Sequence, residues 1–353
     1  MNSLHMNWPM DGGCTYHRIL QPARFCGEAF KKYDWEVSVG EGLPPGHDIY
    51  WLHGLPSPFA ITELVKAKRR SGSKIVWGLD DDWLSIPDWN PATPSDEAMA
   101  NYEIMKSIAD WIVCSTPQLA STLSSVSPKV LWAPNLLDLS LFPIPNYTTD
   151  SAGGRNYDIQ VDIPVRVVWS GGNTHKNDLI EMEEAIHKVM ENFTRDEVVV
   201  IYNGMMPPPK LLTKYLHKGL FHQPSVPFCQ YQKVLNSITP SIYLAPLSPI
   251  EFNLSKSNLR IIEGWALMAC PVASDWGEYK CVKEGKNGFL AWTPSDWYDG
   301  LSRLIKDHES RVKMAINGRQ VVEREYDWNN PVCRAKWYEV FAKILGTPVP
   351  DLT

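Results

Sequence analysis

The chain has 353 residues, of which 44% are hydrophobic and 21% charged, and it carries a formal net charge of −6. That length predicts two domains, and the composition is that of an ordinary globular enzyme, which excludes a fibrous or disordered chain. Residues 1–150 carry 11 Lys and Arg against 17 Asp and Glu, while 151–353 carry 23 of each, so the first half is the acidic one and is poorly suited to a polyanionic partner.

The opening "MNSLHMNWPMDGG" has no basic stretch followed by an apolar one, so no signal peptide is expected. Met1 to Trp8 reads as a first strand. The pair Gly12–Gly13 follows it, where the backbone lets a ligand come close. A helix begins near Thr15 and places His17 and Arg18 in its first turn, as candidates to face a cleft. "WEVSVG" and "DIYWLHG" read as strands, the second ending at His53, and "PFAITELVKAKRRSG" as a helix stopped by glycine. Lys66, Lys68, Arg69, Arg70 and Lys74 form a local basic cluster, which reads first as a solvated helix end. "SKIVWGLDDDWLSIP" is a strand running into Asp80, Asp81 and Asp82. Carboxylates at the C-terminal end of a parallel strand sit where open α/β sheets bind ligands. A helix ("DEAMANYEIMKSIAD"), a strand ("WIVCST"), a short helix ("PQLASTLSSV") and a strand ("KVLWAPN") complete the first alternation.

Residues 143–164 have no period and are rich in Pro, Gly, Asn and Asp, which reads as a linker. The domains are placed at 1–148 and 160–328, with a terminal helix at about 329–346 expected to pack back on the first. "VRVVWSGG" opens the second domain as a strand leading into Gly171–Gly172. A helix follows, with Asn177 or Asp178 near its cap, and then "EVVVIYNG" as a strand ending at Asn203–Gly204. After further helices and the strand "SIYLAPL" comes Pro246–Asp275, which combines a loop, a helix and a short strand. Its helix is expected to start near Ser255–Ser257 with a serine N-cap. Lys256, Arg260 and Glu263 share one face of that helix, a cation near its start and a carboxylate two turns on. Such a face suits a ligand that is anionic at one end and hydroxylated at the other, as a nucleoside diphosphate is. The strand–helix alternation over both halves gives an α/β fold class, with a doubly wound, mainly parallel sheet in each domain.

The seven cysteines are scattered without a C-x-x-C pair, and no apolar run reaches the roughly 20 residues that span a bilayer. Reduced thiols, a cytoplasmic setting and no transmembrane segment are therefore expected. Among the 15 tryptophans, Trp51, Trp77, Trp83, Trp169, Trp276 and Trp292 fall near strand ends and loops, where some are candidates to line the cleft.

Four passages resemble, in order, the family-4 retaining glycosyltransferases of the GT-B fold, which pair two Rossmann-like domains. They are "VLWAPNLLDLSLF" (130–142), "VVWSGGNTHKNDL" (167–179), "LAPL…FNLSKSNLRIIEGWAL…PVASDWGEYKCVKEGKNGFL" (244–290) and "YDW" (326–328). The resemblance implies a nucleotide-sugar donor (UDP-, GDP-, ADP- or TDP-sugar) on the second domain, transfer with retention, and no required metal. It assigns the diphosphate to Lys256 and the glycine pair, and the ribose hydroxyls to Glu263 as a bidentate carboxylate. Further donor-side candidates are Asn173, His175, Asn203, Gly204, Ser257 and Asn258. The family's two glutamates stand eight apart, and here Ser255 stands eight before Glu263, which leaves Glu251, Phe252 and Asn253 as candidates for the sugar. Asp80 stands where the family commonly has a histidine, so Asp80 and Asp81 join Lys256 and Glu263 as catalytic candidates. Gly12, Gly13, His17, Arg18 and His53 remain on the acceptor side. The implied acceptor is a glycan or glycolipid hydroxyl. A hydroxymethylated base of phage DNA is the alternative, and a non-catalytic nucleotide-sugar-binding protein the second.

Overall fold

The computed structural model describes residues 2–7, 12–125, 127, 129–144, 147–149, 155–157 and 164–351. Trp8, at the expected end of the first strand, and the domain boundary at 160 lie outside these residues.

The first sheet comprises β1 (Asn2–Asn7), β2 (Trp35–Gly40), β3 (Ile49–His53), β4 (Lys74–Leu79), β5 (Trp111–Cys114) and β6 (Val130–Trp132), in the order β2-β1-β3-β4-β5-β6. Every neighbouring pair is parallel. Each central strand is buried on both faces, so these runs are continuously apolar and not alternating. Backbone pairing Tyr147–Thr149 (β7) with Arg155–Tyr157 (β8) makes an antiparallel hairpin inside the stretch expected to be featureless linker. The second sheet comprises β9 (Val165–Gly171), β10 (Val198–Gly204), β11 (Leu220–Pro224), β12 (Ile242–Ala245), β13 (Cys270–Ser274) and β14 (Phe289–Ala291), in the order β11-β10-β9-β12-β13-β14, again all parallel. This is a GT-B architecture of two Rossmann-like sheets, with helices around each.

The helix Pro331–Leu345 returns to the first sheet. Its Trp337 and Phe341 share a core with Leu4, Met6 and Trp51, and Trp337 Nε1 donates to the Pro134 carbonyl. Tryptophan serves the core here: Trp51, Trp77 and Trp169 are no more than 1% exposed, and none of the six singled out lines the cleft. Trp276 packs its ring against the exposed Trp292. All seven cysteines are free thiols. Among the described residues, no helix is long and apolar enough to cross a membrane.

The basic cluster divides between the helix Pro58–Ser71 and the start of β4, with Lys66 paired to Glu63 and Lys68 to Asp110. Lys74 is the first residue of the strand whose far end leads to Asp80. At about 3.3 Å per residue, that puts the cluster roughly 20 Å from the carboxylates, at the opposite edge of the sheet.

Candidate functional site

A parallel sheet binds ligands beyond the carboxyl ends of its strands, where the strand order reverses. In the first sheet the reversal lies between β1 and β3, beside the Gly12–Gly13 loop; in the second it lies between β9 and β12, beside Gly171–Gly172. Both open on one cavity of about 460 Å³. The first domain lines it with Gly12, Gly13, Cys14, His17, Asp80, Asp81 and Asn135. The second contributes Ser170 to Gly172, His175, Asn203, Gly204, Phe228, Tyr231, Lys256, Ser257, Arg260 and Glu263, among others.

Several bonds cross the cleft. Lys256 Nζ pairs with Asp81 Oδ1 at 2.9 Å. Thr116 Oγ1 donates to the Ser255 carbonyl, Asn135 Nδ2 to Ser257 Oγ, and Asn90 Nδ2 to the Thr174 carbonyl. Phe228 packs its ring against Tyr16, 5.0 Å between centroids.

Burial pushes the Asp81 carboxyl up, but the Lys256 ammonium outweighs this and holds it below its ordinary value. Asp80 is held within its own domain: Arg18 Nε lies 3.2 Å from Oδ1 and His53 Nε2 lies 3.7 Å from Oδ2. Arg18 does not face the cleft. It is buried, stacks on Trp337 and donates to the Ala133 and Cys114 carbonyls. His53, its side chain 6% exposed, is likewise a support and not part of the lining. His17 does line the cavity. Trp328 Nε1–H donates to Gln21 Oε1, so the His17 Nδ1 bonded to that same oxygen must also be a donor, which leaves Nε2 as a lone pair. Burial lowers the His17 pKa to about 4, so the ring is neutral.

On the second wall, Glu263 sits at the end of a chain of hydrogen bonds. Asn203 Nδ2 donates to Ser170 Oγ, Ser170 Oγ lies 3.2 Å from Tyr231 Oη, and Tyr231 Oη donates to Glu263 Oε2 at 3.2 Å. Of the two Glu263 oxygens that the expected bidentate grip would use, Oε2 already accepts from Tyr231 with one of its lone pairs, and Oε1 is the more open to a ligand. Burial raises its pKa to about 7, against the opposing pull of Arg260 and the Tyr231 hydroxyl.

Tyr231 was missed from the sequence as a site residue, and Arg260 was placed on the ligand-suited face of its helix without a role of its own. Arg260 is 8% exposed, stacks over Trp169, and has no partner on Nη1. Its place bears on Gly171: a Cβ there would lie 2.6 Å from Arg260 Nη2 and 2.8 Å from the Trp169 ring, so this glycine makes room for the guanidinium. Gly172 does leave open space. Gly204 has φ +131°, and a Cβ there would run into the Gly171 carbonyl.

The stretch 251–258 departs most from expectation. The helix runs Leu259–Ala266 with Asn258 at its N-cap and no side-chain capping bond, so neither Ser255 nor Ser257 is a cap. Lys256 lies before the helix, its ammonium 4.3 Å above the Phe252 ring. Phe252 is a buried support. Asn253 Nδ2 is spent on Asp178 and the Ser248 carbonyl, Asn258 Nδ2 on Tyr326, and Glu251 is exposed and off the cavity. Asn173 belongs to a short 3-10 turn and does not line the cavity either. Asp178, expected near a helix cap, does no capping: it accepts from His175 Nδ1 at 2.7 Å, the Ser248 N–H and Asn253 Nδ2.

Cys14, His53 and Asp80 bring one ligand atom each within 4.8 Å of one another. The Arg18 guanidinium already pairs with that aspartate, and a cation entering there would meet its charge at close range.

No protein-family model matches the sequence, and no curated protein matches it. Solved structures match in fold over nearly the whole chain. Anabaena HepE in complex with UDP-glucose has a TM-score of 0.64 at 12% identity, covering 97% of this chain and 100% of that one. Sucrose-phosphate synthase from Thermosynechococcus elongatus has 0.65 at 14%, covering 98% and 100%. A glycosyltransferase from Rickettsia africae has 0.63 at 13%, covering 98% and 99%. At these identities the likeness is one of fold.

Proposed function

We propose that this chain is a glycosyltransferase of the family-4 retaining kind, moving a sugar from a nucleotide-sugar donor to a hydroxyl acceptor. The observation that carries the reading is the second wall of the cavity: a buried carboxylate with one oxygen free, one turn from a buried guanidinium, beside an open glycine loop. A nucleotide presents vicinal hydroxyls and a diphosphate at that kind of spacing. Glu263 takes a ribose hydroxyl, Arg260 and Lys256 take the diphosphate, and Asp80, Asp81 and His17 face the transferred sugar and the acceptor. The UDP-glucose held by HepE, a protein of the same fold, supports a nucleotide-sugar donor. Retention rests on the resemblance of the four sequence passages and is read from the anomeric configuration of the product. We propose that no metal is required, so a chelator should leave the rate unchanged.

The deciding experiment is a thermal-shift panel of UDP-, GDP-, ADP- and TDP-glucose. A ligand that binds only the folded state raises the apparent Tm, by the equivalent of about 2.7 kcal/mol at 100 times Kd. Glu263→Ala should lower kcat/KM for the donor roughly 10- to 150-fold, the span of a hydrogen bond to a charged group. No shift with any member of the panel would remove the donor site. Of the alternatives, modified DNA is disfavoured by the basic cluster, which lies at the far edge of the sheet from the cavity. A mere binding protein would show no donor hydrolysis at all.

A further inference from the structure

Asp178 is buried and its hydrogen-bond partners define its state. Ser248 N and Asn253 Nδ2 can only donate, and both donate to Oδ1. The remaining oxygen, Oδ2, lies 2.7 Å from His175 Nδ1. Burial pushes the Asp178 carboxyl up, but these bonds, the His175 one first, outweigh it and keep it a carboxylate. His175 Nδ1 must therefore carry its hydrogen, and the nitrogen left for a ligand is Nε2, on a ring that lines the cavity beside Gly171 and Gly172.

The charges facing His175 come from four places: Asp178 after its own loop, Lys256 before the helix Leu259–Ala266, Arg260 on that helix, and Asp81 from the other domain. Lys256 is already paired with Asp81, and Arg260 shares the cavity with Glu263. Deeper in the first wall Arg18 is paired with Asp80. Against the three cations Arg18, Lys256 and Arg260 stand the carboxylates of Asp80, Asp81 and Asp178, so a diphosphate carrying two negative charges enters a cavity with no net positive charge to receive it. A neutral Nε2 facing that anion would oppose it lone pair to lone pair. Once protonated, the ring would be held between two anions, Asp178 on one nitrogen and the phosphate on the other.

We propose that the donor binds together with a proton, taken up at His175 Nε2, and that Asp178 is the positioning residue that makes the ring able to accept it. This rests on the donor reading above. The proton comes from solvent and returns when the nucleotide leaves, so the N–H bond at Nε2 is the one bond made and broken in the protein. In the free protein, burial and the nearby Arg260 lower the His175 pKa to about 4, against the pull of Asp178, so at neutral pH the ring starts without the proton.

The test is calorimetric titration at pH 6.5 with the sugar nucleotide that gives saturable heat in the panel. The diphosphate diester of such a ligand does not itself titrate near neutrality. Repeating the titration in buffers of different ionisation enthalpy gives the protons taken up. The wild type should take up about one more proton per ligand than His175→Gln, and its affinity advantage over that variant should fall about tenfold per pH unit between the free-state pKa, about 4, and the bound-state pKa, and level off above it. Asp178→Asn should still bind, more weakly, and lose the same proton. Equal proton numbers in wild type and His175→Gln overturn the proposal while leaving the donor site standing; absence of heat with every sugar nucleotide removes both. Should the variants fail to fold, the His175 ring 15N shifts in the wild type read the same quantity. A doubly protonated ring with ligand bound supports the proposal, and a ring still bare at Nε2 overturns it.

Discussion

The carboxylates on the two walls of the cleft are held by different means. Asp80, on the first wall, is tied to a buried arginine of its own domain; Asp81, its neighbour, is tied to Lys256 of the other domain. Glu263, on the second wall, has a tyrosine hydroxyl in place of a bonded cation. A carboxylate paired inside its own domain is part of the scaffold. One paired across a cleft can be released when a competing anion claims the cation. One held by a neutral hydroxyl keeps a raised pKa and stays open to exchange protons and ligands.

The comparison is broken most sharply at the first wall. Asp80→Ala strands the buried Arg18 charge and should cost about 3–5 kcal/mol of stability, read by denaturant unfolding. Asp81→Asn should cost little stability, because Lys256 keeps a neutral partner. It should bind the nucleotide several-fold more tightly, because the ammonium is freed, and transfer more slowly. If Asp80→Ala proves as mild as Asp81→Asn, the distinction between scaffold and gate fails.

At the second wall the effects are smaller. Tyr231→Phe keeps the ring stacked on Phe228 and removes the hydroxyl's bonds to Glu263 and Ser170, so donor KM should rise about three- to tenfold with kcat nearly unchanged. Glu263→Gln gives the smallest effect. The Glu263 pKa stands near 7, above its ordinary 4.5, so its contribution to stability is fully present below about 4.5 and is lost as pH rises through 7. The glutamine variant should therefore melt above the wild type at pH 8, with the gap shrinking toward pH 5. A gap that widens on acidification would mean that Glu263 is ionised in the free protein well below pH 7.

Much of the fold was legible in the sequence. The continuous apolar runs of β3, β4, β9 and β10 name themselves as buried parallel strands, and the glycine pairs after β1 and β9 mark where each sheet opens. β11 was missed, because "LFHQP" is short, polar at one end and closed by a proline. The helix cap was misplaced: Asn258 stands at the N-cap, and the Ser257 hydroxyl accepts from Asn135 of the other domain.

By itself, then, the sequence determined two doubly wound domains and the places where each presents glycine, carboxylate and lysine. Those features depend on local periodicity and on residue types that act within a few positions of themselves. Only the tertiary structure decided how the charges are shared. It set Lys256 against Asp81, 175 residues away, gave Glu263 to Tyr231 and put Arg260 in the space left by Gly171. It also made Asp178, which stands next to the N-cap Asn177 as expected, the partner of a histidine. Burial and pairing set the charge of each of these groups, and both arise from segments far apart in the chain that meet only when the two sheets face each other.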